Sequence, residues 1–304
     1  MYSAIAANKR KTIFLLLAFF VFIVGISYVL GQAYSALYGS VYSSLSITIS
    51  ALVGSAVYAL VSYFGASRLA LSMNGAQEIS KRDDPRLWRT VENLAITNGM
   101  PMPKVYIIDD PALNAFATGR DPRHAVVAAT SGLLETLNDN ELEGVIAHEL
   151  GHIKNYDIRV GLIAFALVAV VGILSDMFLR FSFYGRAFSD DDNSPGSSGV
   201  TFVLSLIAMV LAPLVASMIQ LAISRQREYL ADATGAMTTR YPEGLASALE
   251  KIRDNGSVLR KQNASTAHFF FANPLSSRSL AGLFSTHPPI EDRIARLRGI
   301  GKKL

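Results

Sequence analysis

The chain has 304 residues, of which 51% are hydrophobic and only 17% charged, and its mean hydropathy is +0.32. Few soluble domains of this length carry so few charges, so the composition indicates a membrane protein. The absence of cysteine excludes disulfides and thiolate metal sites, so that any metal must be held by histidines and carboxylates. The net charge of +4 comes without a nucleic-acid-binding motif. We therefore expect no nucleic acid partner and a lipid bilayer beside the basic residues.

Four apolar stretches without charged residues predict membrane-spanning helices. In chain order they are Thr12–Leu30, Ser43–Phe64, Val160–Ser175 and Gly199–Ser224. The first is too long for the apolar part of a typical signal peptide, which predicts a retained anchor. The third is short for a bilayer core of about 30 Å, so a hydrophobic lid in its place stays open as an alternative.

The polar segments on either side of the last two stretches show helix and strand patterns. In residues 68–158 the predicted elements are a helix over Met73–Asn98, a strand over Lys104–Ile108, a hairpin of Asn114–Thr118 and His124–Thr130, and a helix over Asp139–Lys154. Further helices are expected over Arg225–Met237, Glu243–Arg253 and Pro289–Leu297, with a long loop over Asp254–Thr286. The helix at Asp139 has a strong start signal, because Asn138 can cap it and Glu141 completes a capping box.

The motif His148-Glu149-Leu150-Gly151-His152 lies on the predicted helix Asp139–Lys154. Histidines four residues apart share one helix face, so their two imidazoles can bind a single zinc ion. Glu149, between them, is placed to act as a general base on water. An accidental spacing is the alternative, but the chain has only five histidines and two of them fall in this motif. The pattern predicts a zinc hydrolase site.

A catalytic zinc ion needs a third protein ligand, which the motif does not supply. The candidates are Asp157, His124, Glu228, Asp232, His268 and His287. Glu228 and Asp232 lie four residues apart on one predicted helix face, where a glutamate can bind zinc and an aspartate can orient an imidazole. By spacing alone, a solvated pair of surface charges explains these two residues equally well.

Four sequence segments together resemble the HtpX family of membrane metallopeptidases, whose larger group includes the prenyl-protein endoproteases of the eukaryotic endoplasmic reticulum. They are HELGHIKNYD at 148–157, SRQREYLAD at 224–232, NAFATG at 114–119 and STHPPIEDR at 285–293. The resemblance covers nearly the whole chain, including the apolar stretches. It implies that His148, His152 and Glu228 bind one zinc ion per chain, that Glu149 is the general base, and that Asp232 orients an imidazole.

Two further roles are expected around this site. Asn114 and Ala115 begin a strand edge, Asn114–Ala117, that in related zinc peptidases pairs with the backbone of an extended peptide substrate. His287 is a candidate donor to the oxyanion of the tetrahedral intermediate. Capping of the last helix explains His287 equally well.

These observations predict a mostly α-helical membrane protein with a small β-hairpin or sheet, in which a zincin-like catalytic domain accompanies about four transmembrane helices. The expected segments are a two-helix anchor at 1–67, a first catalytic segment at 68–158, two further membrane helices at 159–224, and a second catalytic segment at 225–304. The resemblance implies protein substrates from the membrane and a role in quality control of misfolded or damaged membrane proteins. A processing protease for a few membrane-associated or prenyl-like substrates is the alternative. A channel is disfavoured, because the apolar stretches contain no ionisable residue.

Basic residues predict the orientation of the chain. Lys9, Arg10 and Lys11 precede the first apolar stretch, whereas the segment 32–42 after it has no lysine or arginine. Arg68 follows the second stretch. The positive-inside rule then places both catalytic segments in the cytoplasm of a bacterial or archaeal cell, with the protein crossing the cell membrane several times.

Overall fold

The computed structural model describes residues 2–38, 44–167, 225–255, 259–260, 270–271 and 288–302. The chain divides into two compact units. The first consists of Met1–Arg10, Phe64–Leu162 and Gln220–Leu304, and the second of Lys11–Tyr63 and Ile163–Ile219. Those candidate site residues that the structure describes belong to the first unit.

The first two apolar stretches are helical. They lie in α1, Tyr2–Tyr38, and α2, Ser44–Met73. Several large apolar side chains on these helices are more than half exposed: Phe14, Leu17, Val21, Val57 and Leu60. Exposed apolar surface of this extent is unfavourable in water.

No single helix in the described part of the chain is both long and apolar enough to cross a bilayer. One bent pair of helical parts is long and apolar enough when taken together, by length and composition alone. Its parts are Leu52–Tyr58 and Tyr63–Met73, which meet at an angle of 58°. The third predicted stretch, Val160–Ser175, falls within the described residues only as far as residue 167, and the fourth, Gly199–Ser224, lies outside them. The number of membrane spans stays a prediction.

A four-stranded sheet forms one side of the first unit. Its strands are β1 (Ala76–Glu78), β2 (Lys104–Ile108), β3 (Ala115–Gly119) and β4 (Ala125–Thr130), in the spatial order β1-β2-β4-β3. The predicted hairpin is present as the antiparallel pair β3–β4, with Ala115 opposite Ala129. Strand β2 runs parallel to β4 and antiparallel to β1. Strand β3 therefore lies at the edge of this sheet.

The helix predicted over Met73–Asn98 is wrong in its first half. Helix α2 ends at Met73, β1 follows, and helix α3 extends only over Pro85–Thr97. The physical reason lies in the local start signal, because the Asp84 carboxylate accepts a hydrogen bond of 2.8 Å from the N–H of Leu87 and Pro85 occupies the first turn. The apolar spacing indicated the helix correctly but not the point where it begins.

The remaining helices surround the HExxH helix. They are α4 (Ser131–Thr136), α5 (Asp139–Lys154), α6 (residues 157–167), α7 (Arg225–Thr239), α8 (Pro242–Asn255) and α9 (Ile290–Gly301). Helix α5 carries the motif and packs against α7, α8 and β3. The predicted capping box is present at its start, with Asn138 and Glu141 bonded to each other's backbone N–H groups at 3.0 and 2.8 Å.

Two glycines allow the helices to pack closely enough to assemble the site. A Cβ atom at Gly144 on α5 would lie 2.6 Å from the backbone nitrogen of Leu245 on α8. One at Gly235 on α7 would lie 3.1 Å from the backbone nitrogen of His148. The second contact presses the helix that carries Glu228 against the helix that carries both motif histidines.

Candidate metal centre and active site

Three side chains converge on one point of the first unit. The Nε2 atoms of His148 and His152 lie 3.1 Å apart. One carboxylate oxygen of Glu228 is 3.4 Å from the Nε2 atom of His152, and the other is 3.8 Å from the Nε2 atom of His148. Among the described residues, these three form the group whose ligand atoms all lie within 4.8 Å of one another.

The spacing of these atoms fits a tetrahedral metal ion. Bonds of about 2.0–2.2 Å place the ligand atoms of such an ion about 3.3–3.6 Å apart. The observed distances of 3.1, 3.4 and 3.8 Å bracket that range. Two imidazole nitrogens and one carboxylate leave the fourth tetrahedral position open, as in catalytic rather than structural sites. The residues present therefore fit the metal that the sequence pattern implies.

Each histidine is oriented by its own aspartate. The Nδ1 atom of His148 lies 2.9 Å from Asp232, and the Nδ1 atom of His152 lies 3.0 Å from Asp157. A carboxylate can only accept, so each Nδ1 atom carries a proton and each Nε2 atom faces the shared point, where it is placed to bind a metal ion. Asp157, one of the candidate third ligands, thus contacts the imidazole nitrogen that faces away from that point.

Sequence reasoning gave no role to Arg293, although it lies in the segment STHPPIEDR. Its side chain is buried at the start of α9, with 1% exposure. The guanidinium group donates to both oxygens of Asp232, at 2.9 and 2.7 Å, and lies 4.0 Å from Glu228. Such a bidentate pair fixes the carboxylate in a plane as well as in position. A charged residue on a short amphipathic helix usually faces solvent, so nothing in the sequence signalled this contact.

Burial and neighbouring charges shift the pKa values of the first imidazole and its partner in opposite ways. Burial is the main cause that lowers the pKa of His148 to about 4, despite the hydrogen bond from its ring to Asp232. Burial would raise the pKa of Asp232, but the charge of Arg293 and the bond from His148 lower it to about 2. At neutral pH this pair is a neutral imidazole and a carboxylate, which is the protonation state of a metal ligand and its support.

The pKa values of His152 and Glu149 are both raised, and several carboxylates lie close together at the site. Burial opposes a proton on His152, yet the carboxylates of Glu228, Asp157 and Glu149 raise its pKa to about 9. Burial and the charge of Glu228 raise the pKa of Glu149 to about 7, although His152 and the N–H of Ala117 act against that shift. A cation at the shared point would neutralise the same carboxylates, so the charges of the site are compatible with a bound metal ion.

Strand β3 lies beside the proposed general base. The backbone N–H of Ala117 donates a hydrogen bond to the Glu149 carboxylate. On the same edge, the N–H of Phe271 donates to the carbonyl of Ala115 at 2.8 Å, and Phe270 forms an antiparallel bridge with Phe116. Asn114, expected to begin the substrate edge with Ala115, is buried. The expected edge thus adjoins the site, and two residues of the chain itself already pair with it.

Of the other histidine candidates, the structure describes only His124, and this residue is not part of the cluster. His124 lies in the turn before β4, is half exposed, and contacts Asp121 at 2.8 Å. His268 and His287 lie outside the described residues, so the expected roles of these two histidines stay predictions.

Comparison with known proteins identifies the relatives of this chain. The model of Peptidase family M48 matches residues 81–301. A protease HtpX homolog from Tropheryma whipplei is 52% identical over 303 residues, covering 100% of this chain and 99% of the relative. One from Streptococcus uberis is 47% identical over 306 residues, covering 98% of this chain and 99% of the relative.

A solved structure also resembles the chain. The crystal structure of S. mikatae Ste24p matches it with a TM-score of 0.50 and 20% sequence identity, covering 98% of this chain and 67% of that one. At this identity the likeness concerns the fold alone. The curated relatives, in contrast, match from end to end at about half of all positions. The chain therefore belongs to peptidase family M48, within its HtpX family, and is a membrane metallopeptidase.

Proposed function

We propose that this protein is a zinc-dependent endopeptidase that cleaves misfolded or damaged proteins of the membrane in which it resides. The observation that carries the proposal is the convergence of His148, His152 and Glu228, at 3.1–3.8 Å, beside the buried carboxylate of Glu149. No other reaction class accounts as directly for two imidazoles and a carboxylate with one open position and an adjacent base.

His148, His152 and Glu228 would hold one zinc ion per chain. When bound, zinc acts as a Lewis acid on the peptide carbonyl and brings the pKa of water toward ~7. Asp232 and Asp157 keep the protons of the two imidazoles on Nδ1, so that both Nε2 atoms stay available. Glu149 takes a proton from water and delivers it to the leaving amine.

The substrate is an extended peptide that pairs with the edge of β3. Backbone pairing holds a peptide without reading much of its sequence, which suits an enzyme with many damaged substrates. Asn114 and Ala115 begin that edge, and the N–H of Ala117 bonds Glu149, so the edge and the base are directly connected. His287 is proposed as the donor to the oxyanion of the tetrahedral intermediate.

The protein is proposed to cross the membrane four times, with its catalytic segments in the cytoplasm. His148 and His152 precede the last two apolar stretches and Glu228 follows them. Because the three side chains meet at one point, an even number of crossings must separate them. Two spans satisfy this condition, and the basic residues before the first stretch favour the cytoplasmic side.

The test is cleavage of casein and of a misfolded membrane protein by the full chain in detergent. Cleavage should stop when a chelator removes zinc, return when zinc is restored, and be absent in Glu149→Gln. Cleavage that persists in metal-free protein would contradict the proposed chemistry. Cleavage of casein with no cleavage of any membrane protein would retain the chemistry and overturn the proposed substrate class.

A further inference from the structure

Asn8 is a buried polar residue near the start of α1, only 4% exposed. Its amide nitrogen donates hydrogen bonds of 2.8 Å to the carbonyl of Asn155 and 2.7 Å to the Asp157 carboxylate. An amide nitrogen carries two protons, so both donors of this group are committed. The two bonds fix the orientation of the side chain over the turn that follows the HExxH helix.

Asp157 divides its carboxylate oxygens between Asn8 and His152. Oδ1 accepts the bond from Asn8, and Oδ2 lies 3.0 Å from the Nδ1 atom of His152. The other charged neighbour of this carboxylate, Arg227, is farther away at 3.8 Å. The short bond from Asn8 therefore sets the plane in which the second oxygen meets the imidazole. Carboxylates that hold a metal-binding histidine depend on such outer partners.

The start of α1 also contacts the turn that brings Asp157 close to His152. Tyr156 has a positive φ of 61°, a left-handed conformation that is unfavourable for a residue with a side chain. The bond from Asn8 to the carbonyl of Asn155 lies directly before this residue. The Lys9 ammonium lies 5.2 Å from the centre of the Tyr156 ring, so the start of α1 contacts the turn through two consecutive residues.

The two histidines are supported unequally. Asp232, which orients His148, is clamped by two bonds from the guanidinium group of Arg293. Asp157, which orients His152, has the neutral amide of Asn8 in the corresponding place. Support of the second histidine thus comes from an N-terminal helix, more than a hundred residues before the motif in the sequence.

We propose that Asn8 is a positioning residue for the metal site, acting on His152 through Asp157. The proposal rests on the proposed function, since it takes His152 as a metal ligand. Without Asn8 the Asp157 carboxylate can rotate, and the imidazole loses the fixed Nδ1 bond that holds its Nε2 atom at the shared point. The first turns of α1 then complete the metal site in addition to leading into a predicted membrane anchor.

The experiment measures zinc affinity of the full chain in detergent by competition with a chelator. We expect Asn8→Ala to weaken zinc binding about tenfold and Asp157→Ala about 10–100-fold, the range found for outer partners of metal ligands. The double variant should bind zinc no more weakly than Asp157→Ala alone, because Asn8 has nothing left to act on. Such non-additivity is the signature of two residues in one network, which a general structural role would not produce.

Two controls separate this role from loss of folding. Asn74 is also a buried asparagine, and its amide bonds only the carbonyl of Ala70 within α2, so Asn74→Ala should leave zinc affinity unchanged. Asn8→Leu keeps the volume of the side chain but cannot donate, and it should reproduce the effect of Asn8→Ala. Thermal unfolding of the zinc-free proteins checks that each variant is folded.

The possible outcomes are distinguishable. Zinc affinity that is unchanged in both Asn8 variants, or effects of Asn8 and Asp157 that simply add, would overturn the role of Asn8. Neither result would affect the metal site itself. Unchanged zinc affinity in His152→Ala would instead overturn the proposed function on which the inference rests.

Discussion

The backbone N–H of Phe271 donates a 2.8 Å hydrogen bond to the carbonyl of Ala115, on the strand edge proposed for the substrate. The side chains of Ala115 and Phe271 are both buried. The Phe271 ring lies 4.9 Å from the ring of His148 and is nearly perpendicular to it. The Arg293 guanidinium lies 4.6 Å from the centre of the same Phe271 ring. Two residues of the chain thus occupy part of the edge, directly beside a proposed metal ligand.

A reversible disulfide tests whether a peptide must take the place of Phe270 and Phe271. Phe116 and Phe270 are partners in the antiparallel bridge, and the bond from Phe271 to Ala115 shows that they form a non-hydrogen-bonded pair. The Cα atoms of such a pair are about 4.5 Å apart, which is within the range that a disulfide can span. Oxidation of Phe116→Cys/Phe270→Cys should abolish casein cleavage, and a phosphine reductant should restore it. The chain has no cysteine of its own, so the single variants are clean controls. Full activity in the oxidised double variant would mean that the peptide binds elsewhere.

Glu149→Gln keeps the shape of the side chain but removes the base. We expect zinc content to stay unchanged while proteolysis falls by at least about a hundredfold, the lower range for loss of general acid–base catalysis. Metal analysis and casein cleavage on the same preparation measure both quantities. Substantial activity in zinc-loaded Glu149→Gln would rule out Glu149 as the base.

Glu228 is distinguished from Asp157 and Asp232 by how much zinc each variant loses. Glu228→Ala should lose most of its zinc, because two histidines alone hold the ion weakly. Asp232→Asn should weaken zinc binding about 10–100-fold, since it keeps the shape of the side chain but not its charge. If Asp157→Ala empties the site and Glu228→Ala does not, the assignment of Glu228 as the third zinc ligand is wrong.

Glu141 should make folding sensitive to acid. Burial would raise its pKa, but hydrogen bonds from Lys251, Ser247 and the N–H of Asn138 lower it below its usual 4.5. A carboxylate whose pKa is lower in the folded than in the unfolded state stabilises the fold at pH values above its unfolded-state pKa. This contribution disappears as the pH falls through its folded-state pKa. Lys251→Met should therefore lower the unfolding temperature at pH 7, by an amount that corresponds to about 1–2 kcal/mol in the free energy of unfolding. The decrease in unfolding temperature below pH 4.5 should be smaller in this variant than in the native protein. A variant with an unaltered pH profile would contradict this account.

The orientation in the membrane can be tested by labelling single cysteines in intact cells. Glu135 is exposed on α4, in the first catalytic segment, and Ser194 lies in the acidic loop between the third and fourth apolar stretches, outside the described residues. A membrane-impermeant thiol reagent should label Ser194→Cys and not Glu135→Cys. Labelling at Glu135→Cys would place the chemistry outside the cell. Protection of both positions, with labelling after lysis, would leave only two spans.

Local features were predictable because they depend on spacing along one helix or strand. The two histidines of the motif share a face of α5 whatever surrounds them, and the capping box of Asn138 and Glu141 requires only four consecutive residues. The pairing of β3 with β4 followed from two β-rich runs around a turn. In contrast, β1 has three residues, too few for any periodic pattern.

Roles that depend on distant partners could not be read from spacing. The sequence offered Glu228 and Asp157 as rival third ligands. The packing of α7 on α5 places Glu228 on the Nε2 side of His152, whereas the turn after α5 places Asp157 at the Nδ1 atom. Arg293 and Asn8 carried no sequence signal of their own, because a buried polar side chain is defined by the atoms it meets. The sequence alone determined the chemistry of the motif, whereas the tertiary structure decided which carboxylates and donors surround it, since those come from helices far apart in the chain.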